Sequence, residues 1–330
     1  MTITNVSGET TYWNNMEQTA ALAGDMLRMG AGRTPLLDKI GGLGTVGKLA
    51  KDWRFAMSNQ YALAAPSQKS RTETEASAGA PTQVTYDKDQ EYNVCQILQY
   101  EIDVTWPAQS ATTYLDGLAL AGPQQAPVDP LTFQLQANME QMALDFDWHI
   151  INGTYAASTN AGTPWQMRGL KEAITTNKVN ADDGFTTDEL STKMIDAAML
   201  LLADTSKAPM RDMWVLCTAA TKQKLSQLYG NSPLVSPSTT VGGQAIETIN
   251  TDFGPLKLMY EPQIPDADYL YIVDMADIAP VFLPVPGKGA VFYTKLAQVG
   301  AAEKGMLYGQ VGYTYTAQKH HALVYGFDLA

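Results

Sequence analysis

The sequence predicts an α+β fold, and three observations carry that prediction. One is a single strong helix signal near the middle of the chain, at about 131–151. The second is a helix–strand–helix unit between Thr186 and Gly230. The third is a strand-rich remainder of short apolar runs from Leu256 to Phe327, with no fixed-period repeat along the chain.

Residues 1–33 are polar and rich in small side chains, with one short amphipathic patch at Leu22, Met26, Leu27 and Met29. Thr34-Pro-Leu-Leu-Asp-Lys-Ile-Gly41 reads as a compact apolar anchor with a turn at each end. Trp53 to Ala65 and Val84 to Trp106 look extended. Between them Ser67 to Thr82 is a Ser/Thr/Glu/Ala/Gly/Pro tract with almost nothing to bury. Two extended runs around a polar tip form a long hairpin, which is not stable alone in water and must lie against something. Tyr100, Ile102, Val104 and Trp106 alternate with Glu101, Asp103 and Thr105, giving that strand one buried and one wet face.

A Pro/Gln/Gly linker, Gly122 to Pro130, leads into the long helix. Asp129 is placed to accept from its first free N–H groups, Pro130 suits its first position, and Asn152-Gly153 supplies the stop. Leu135, Met139, Met142, Phe146 and Ile150 give it a buried stripe. At 1.5 Å per residue it spans roughly 30 Å. Beyond a small-residue loop ending at Trp165, the capping box Thr186-x-x-Glu189 starts a second helix that runs to about Ala203 and buries Leu190, Met194, Ala198, Leu201 and Leu202. Strand Met213–Cys217 follows, and Thr218 caps a third helix carrying Leu225 and Leu228. Leu256–Tyr260, Tyr269–Asp274, Pro280–Pro284, Val291–Thr294 and an alternating tail from Met306 to Phe327 read as strands.

At 330 residues the chain can bury a substantial core. Its net charge of −12 makes it a poor sequence-specific binder of nucleic acid. The excess is uneven: no Lys or Arg occurs between Lys88 and Arg168, a stretch that holds the long helix with Glu140, Asp145 and Asp147 as its formal charges. Cys95 and Cys217 look like small apolar core residues, not a disulfide framework. The start has neither the basic nor the apolar part of a signal peptide, and no window approaches a membrane span. A reducing cytoplasm is the expected compartment of synthesis.

No motif carries catalysis. Gly42-x-Gly44-x-x-Gly47 matches a dinucleotide fingerprint by letter but lacks the strand before and the full helix after it, so it reads as a flexible joint. Asp145 and His149 sit four apart and suit a helical hydrogen bond better than a metal, which needs more ligands. His320-His321 on a strand would face opposite ways. Asp266, Asp268, Asp274 and Asp277 lack the spacing of a calcium loop and read as a solvated edge. Neither a nucleophile elbow, a zincin motif nor a P-loop is present. The expectation is a non-enzyme with no catalytic, cofactor or metal site.

The order of elements, with TPLLDKIG at 34–41, NVCQILQ at 93–99, the long helix after Asp129, RGL at 168–170, TAATKQKL at 218–225 and the strand-rich end, resembles the major capsid proteins of tailed bacteriophages. The resemblance covers nearly the whole chain from about Thr34 as a string of individually weak matches. It implies the Hong Kong 97-type capsid fold: an N-terminal arm at 1–50, an extended loop at 51–95, a peripheral domain with a spine helix at 96–165 plus 285–330, and an axial domain at 166–284. It departs from relatives in carrying no Lys or Arg on the spine helix, and in having Cys95-Gln96 where Thr-Gln is common after Asn-Val.

The resemblance implies a subunit that assembles into hexamers and pentamers of an icosahedral shell around double-stranded DNA, in the virion, after assembly in host cytoplasm. Its partners would be further copies, a separate scaffolding protein, a portal and decoration proteins, without a membrane. The alternatives are an encapsulin-type nanocompartment shell and a tail or tube protein. Candidate inter-subunit contacts are the cations Arg28, Arg33, Arg54, Lys69 and Arg71 and the acids Glu73, Glu75, Glu140, Asp145 and Asp147. Arm and hairpin cations would lie over or beside a neighbour's acidic spine, the alternative being a solvated acidic face toward the DNA.

Overall fold

A computed structural model describes residues 34–43, 47–61, 63, 65–68, 70–79, 85–109, 130–160, 162–185, 187–229, 235–237, 246–298 and 300–329. The described chain enters on helix α1 (Pro35–Ile40), passes through β1 (Lys48–Leu49) and rises into a hairpin of β2 (Arg54–Tyr61) and β3 (Lys88–Val94), with a short helix α2 (Glu73–Ala78) between them. Strand β4 (Gln96–Thr105) and the long helix α3 (Pro130–Asn152) follow. Then come α4 (Leu170–Ala173), β5 (Lys178–Asn180), α5 (Thr192–Leu200), β6 (Met213–Cys217) and α6 (Ala219–Tyr229). The rest is strand: β7 (Val235–Pro237), β8 (Ile246–Thr251), β9 (Gly254–Tyr260), β10 (Tyr269–Asp274), β11 (Ala279–Phe282), β12 (Val291–Lys295), β13 (Ala302–Thr314) and β14 (Ala322–Tyr325).

Strand β13 is the axis of a five-stranded sheet. It pairs antiparallel with β4 from Ala302↔Thr105 to Val311↔Gln96, while β11 and β12 lie end to end along its other edge. Strand β1 adds to β11 in parallel. Helix α3 packs on this sheet, and Met142, Phe146, Ile150 and Ile151 share one core with Leu98, Leu307 and Val311. Pro130 opens the helix as expected, while Asp129 lies outside the described residues. The apolar stripe is shorter than its spacing suggests: Leu135 is half-buried and Met139 is 45% exposed. On β4 the alternation holds through Ile102 and Val104, but Trp106, where the strand ends, is 49% exposed.

A seven-stranded sheet runs in the order β5-β14-β10-β6-β9-β8-β7. Helix α5 covers it, with Met194, Ile195, Ala198, Leu202, Val215, Leu225, Ile272 and Val324 in one core. Helix α5 begins at Thr192 after Ser191, later than the expected box; Thr186 lies outside the described residues, and Glu189 bridges to Asp328 instead. A π-helical turn, Leu201–Thr205, ends it and tips Leu201 into a half-buried position while Leu202 is fully buried. Trp214 is also half-buried, and Leu228 is 37% exposed. Thr218 does cap α6, its hydroxyl accepting from the Thr221 amide at 3.3 Å.

The two sheets exchange strands across the boundaries expected from sequence. Strand β11 falls in the stretch assigned to the axial domain yet belongs to the five-stranded sheet, and β14 falls in the peripheral stretch yet lies between β5 and β10. The alternating tail is therefore two strands in two sheets, turned at Thr316, whose φ is 55°. The anchor at 34–41 is a helix, closed by Gly41 at φ 113°. Gly47 is a packing glycine and not a loose joint: a β-carbon there would stand 2.5 Å from the Phe282 ring. Both cysteines are buried and free, and burial pushes each thiol up to about 12.

Candidate assembly interface

Among the described residues, the far half of the hairpin is left exposed by the body. Strands β2 and β3 pair with each other from Arg54↔Val94 to Tyr61↔Lys88, with one irregularity between Ala56 and Ser58. Its root is fixed from three directions. Buried Asn93 donates to the Tyr313 carbonyl at 3.0 Å and accepts from the Arg168 amide at 2.9 Å. Gln96 accepts from the Met167 amide at 3.3 Å, and its amide nitrogen meets His149 Nε2 at 3.1 Å. Trp53 stacks on Trp165 with centroids 6.1 Å apart. Midway, Glu91 accepts from the Gln318 amide at 3.1 Å and the Ser58 hydroxyl donates to the Thr316 carbonyl.

Beyond that point nothing in the described chain covers it. Tyr61, Leu63 and Tyr86 are 66%, 69% and 48% exposed, all on the far half of the hairpin. The polar tract expected to be featureless instead carries α2, started by a capping box in which Thr72 and Glu75 satisfy each other's backbone N–H. The Thr72 amide and hydroxyl, both donating to Glu75 Oε2, lower the Glu75 carboxyl below its ordinary range. Arg71, Glu73 and Glu75 are exposed on this tip. Arg54 sits at the base, its guanidinium 4.1 Å from the Tyr92 ring. Arg28, Arg33 and Lys69 lie outside the described residues.

The acidic spine is less of a free charge stripe than its sequence suggests. Asp147 is fully buried and accepts from the Leu37 amide at 3.0 Å, so it does not present itself to a neighbour. Asp145 accepts from the Tyr100 hydroxyl and from Gln141. Glu140 is exposed. Elsewhere in the cation-free stretch, Glu101 and Asp103 on β4 face Lys304 across the sheet at 3.7 and 3.1 Å. One cation from the far end of the chain thus meets both of these acids within one molecule.

The remaining polar motifs serve the fold. His149 Nδ1 meets the Asp145 carbonyl oxygen within the helix, not its carboxylate. His320 and His321 face apart: the first meets Asp277, and the second is fully buried between the Asp274 amide and the Tyr315 carbonyl. They lie at the end of a 3-10 turn and not within a strand. Asp274 and Asp277 are buried and not on a solvated edge; Asp274 accepts from the Arg211 and Asp212 amides, and Arg211 pairs with Asp277 at 2.6 Å. Burial acts to raise Asp277, but the hydrogen bond and charge of His320, with Arg211, outweigh it and hold the carboxyl below its ordinary range. Among the described residues no cluster of three or more His, Cys, Asp or Glu could hold a metal ion, and no helix is long and apolar enough to cross a membrane.

Sequence reasoning missed Asn93 and Gln96 as the clamps of the hairpin root. Their one signal was two uncharged amides flanking Cys95 where an extended run changes its burial pattern.

Comparison with known proteins agrees with this architecture. Residues 3–328 match the family model described as SU10 major capsid protein. The capsid structure of cyanophage P-SCSP1u is similar at 10% identity, over 92% of this chain and 91% of that one, with a TM-score of 0.57. The capsid of a native GTA particle is similar at 12% identity, over 96% and 99%, with a TM-score of 0.56. The holo-SrpI encapsulin complex from Synechococcus elongatus is similar at 11% identity, over 93% and 91%, with a TM-score of 0.56. Among curated proteins there is no match.

Proposed function

From the membership of this chain in the SU10 major capsid protein family, which makes it a structural subunit of a capsid with the Hong Kong 97-type fold, we propose how the subunit meets its copies. The hairpin lies across an adjacent subunit. The observation that carries this is the bare far half, where Tyr61, at the end of the two-stranded ribbon, and Leu63 and Tyr86, just beyond it, stand exposed; a ribbon of two strands cannot be stable without cover. The root clamps set its direction, and the tip helix with Arg71, Glu73 and Glu75 supplies polar contacts at the rim.

Copies joined in this way tile hexamers and pentamers of an icosahedral shell, and many weak contacts per subunit make the lattice strong. The shell encloses double-stranded DNA, which its net charge of −12 leaves mobile. Assembly takes place in host cytoplasm with a separate scaffolding protein, a portal and decoration proteins. The encapsulin shares the fold at a similar TM-score, so the fold does not separate the two contents; the family match favours the capsid.

Deleting residues 68–81 tests the hairpin contact. The expected product is a soluble, folded subunit that forms no stable shells in negative-stain images. Normal shells from that deletion would overturn the hairpin contact.

A further inference from the structure

Two buried carboxyls meet at the start of α1. Glu261 Oε2 accepts from the Leu36 amide at 3.1 Å, and Asp147 Oδ1 accepts from the Leu37 amide at 3.0 Å. Glu261 Oε1 also accepts from the Gln263 amide at 3.1 Å. Both residues are 0% exposed. They come from different parts of the chain, Asp147 from α3 and Glu261 from the residue after β9, so the pair joins the N-terminal helix to the spine and to the seven-stranded sheet. Asp147 Oδ2 has no donor directed at it, although it is buried. The two acceptors on adjacent amides, Leu36 and Leu37, place the second carboxyl beside this unpartnered oxygen.

We propose that the Asp147–Glu261 pair is a proton-dependent latch, seating α1 while the carboxyls share a proton and releasing it when both are ionised. Helix α1 has six residues, too few to persist without its setting. It is held by burial of Leu36 and Leu37 and by these two carboxyls on its first free N–H groups.

The charges around the pair give it no relief. Asp38, on α1 itself, acts to raise both carboxyls. Lys39 turns away, its ammonium 4.7 Å from the Trp214 ring. On α3, Asp145 is engaged by Tyr100 and His149 by Gln96. On the segments beside Glu261, Lys257 pairs with Asp212 at 2.7 Å and Lys171 with Asp266 at 3.1 Å. Burial above all, then the charge of Glu261, pushes Asp147 up to about 8. Burial likewise pushes Glu261 up to about 7, against the pull of its N–H donors. Both seated values lie above those of a solvated carboxyl, so the proton stabilises the seated helix at low pH. That contribution falls as pH rises and is gone once pH has passed through both seated values. The latch rests on the single chain, and only its consequence for how the N-terminal segment reaches a neighbour rests on the capsid reading.

Amide exchange of the full-length, unassembled subunit between pH 6 and 9, corrected for intrinsic rates, tests the latch. Protection of Leu36 and Leu37 is expected to fall by up to about tenfold per pH unit for each proton lost. Asp147→Asn keeps the acceptor for Leu37 and removes one carboxyl and its charge, leaving only buried Glu261 to titrate, so its protection should fall clearly less steeply over the same range. If that variant fails to fold, Glu261→Gln makes the same test, and the infrared band of a protonated carboxyl at neutral pH tests the wild-type protein directly. Flat protection in the wild type, the wild-type slope in either variant, or an equal loss along α3 would each overturn the latch. None of these outcomes bears on shell formation.

Discussion

The amide of Gly169 donates to the carbonyl of Gly153 at 2.7 Å, and neither residue has room for a side chain. A β-carbon on Gly169 would stand 2.7 Å from the Ile151 carbonyl oxygen, and one on Gly153 would stand 2.5 Å from that of Met167. The end of the spine helix and the entry to α4 cross at this point, backbone on backbone.

Gly169→Ala is therefore expected to destabilise the subunit by about 1–3 kcal/mol or more, because two backbones must part to admit one methyl. Denaturant unfolding measures it. Gly162→Ala, where the nearest atom is Asn160 Oδ1 at 3.4 Å, is the matched control and should be near neutral.

Leu202→Ala should cost about 2–5 kcal/mol, the range for emptying a buried leucine site, since Leu202 is 0% exposed. Leu201→Ala should cost clearly less, because the π-helical turn leaves Leu201 half-buried. Equal losses in thermal unfolding would contradict the placement of that turn.

Asp277 is held below its ordinary range, so ionised Asp277 contributes stability above the unfolded-state value. That contribution is lost as pH falls through the lowered folded-state value. Asp277→Asn should destabilise the protein at neutral pH and make its stability decline less steeply on acidification. An acid limb unchanged in urea titrations would remove Asp277 from that account.

Arg71 is the described tip cation that lies on the exposed surface. Arg71→Glu should raise the protein concentration needed for assembly, more at low salt than at high, because exposed pairs are worth only about 0–1 kcal/mol and are screened. Adding Arg54→Glu should deepen the effect but also disturb the Tyr92 stack at the hairpin base. Light scattering at two salt concentrations reads the threshold. No change at either would mean that the acids of the neighbour do not face this cation.

The long helix and the hairpin were legible because each is a local pattern. Pro130, the Met142/Phe146/Ile150 spacing and Asn152-Gly153 mark the helix, and two extended runs around a polar tract mark the hairpin. The exchange of β11 and β14 was not legible, since strand periodicity says which face is buried and not in which sheet. The fate of the acids was hidden for a similar reason. Asp147 looks like a surface charge on a helix, and only the tertiary approach of Leu37 and Glu261 makes it an internal cap. The proposed assembly contact was read mainly from what the hairpin lacks, and Asn93 and Gln96 became visible only once their distant backbone partners were in place.

Strand β13 is the axis of one sheet, and β14, eight residues beyond its end, is inserted between β5 and β10 of the other. During synthesis, therefore, the five-stranded sheet cannot close until the ribosome has passed Thr314, nor the seven-stranded sheet until it has passed Tyr325. Contacts this distant in sequence are slow to form. A nascent chain therefore holds its hairpin before β13 and β14 are there to anchor its root and complete the body. Strand order thus ranks the two sheets in time, the five-stranded one being free to close first.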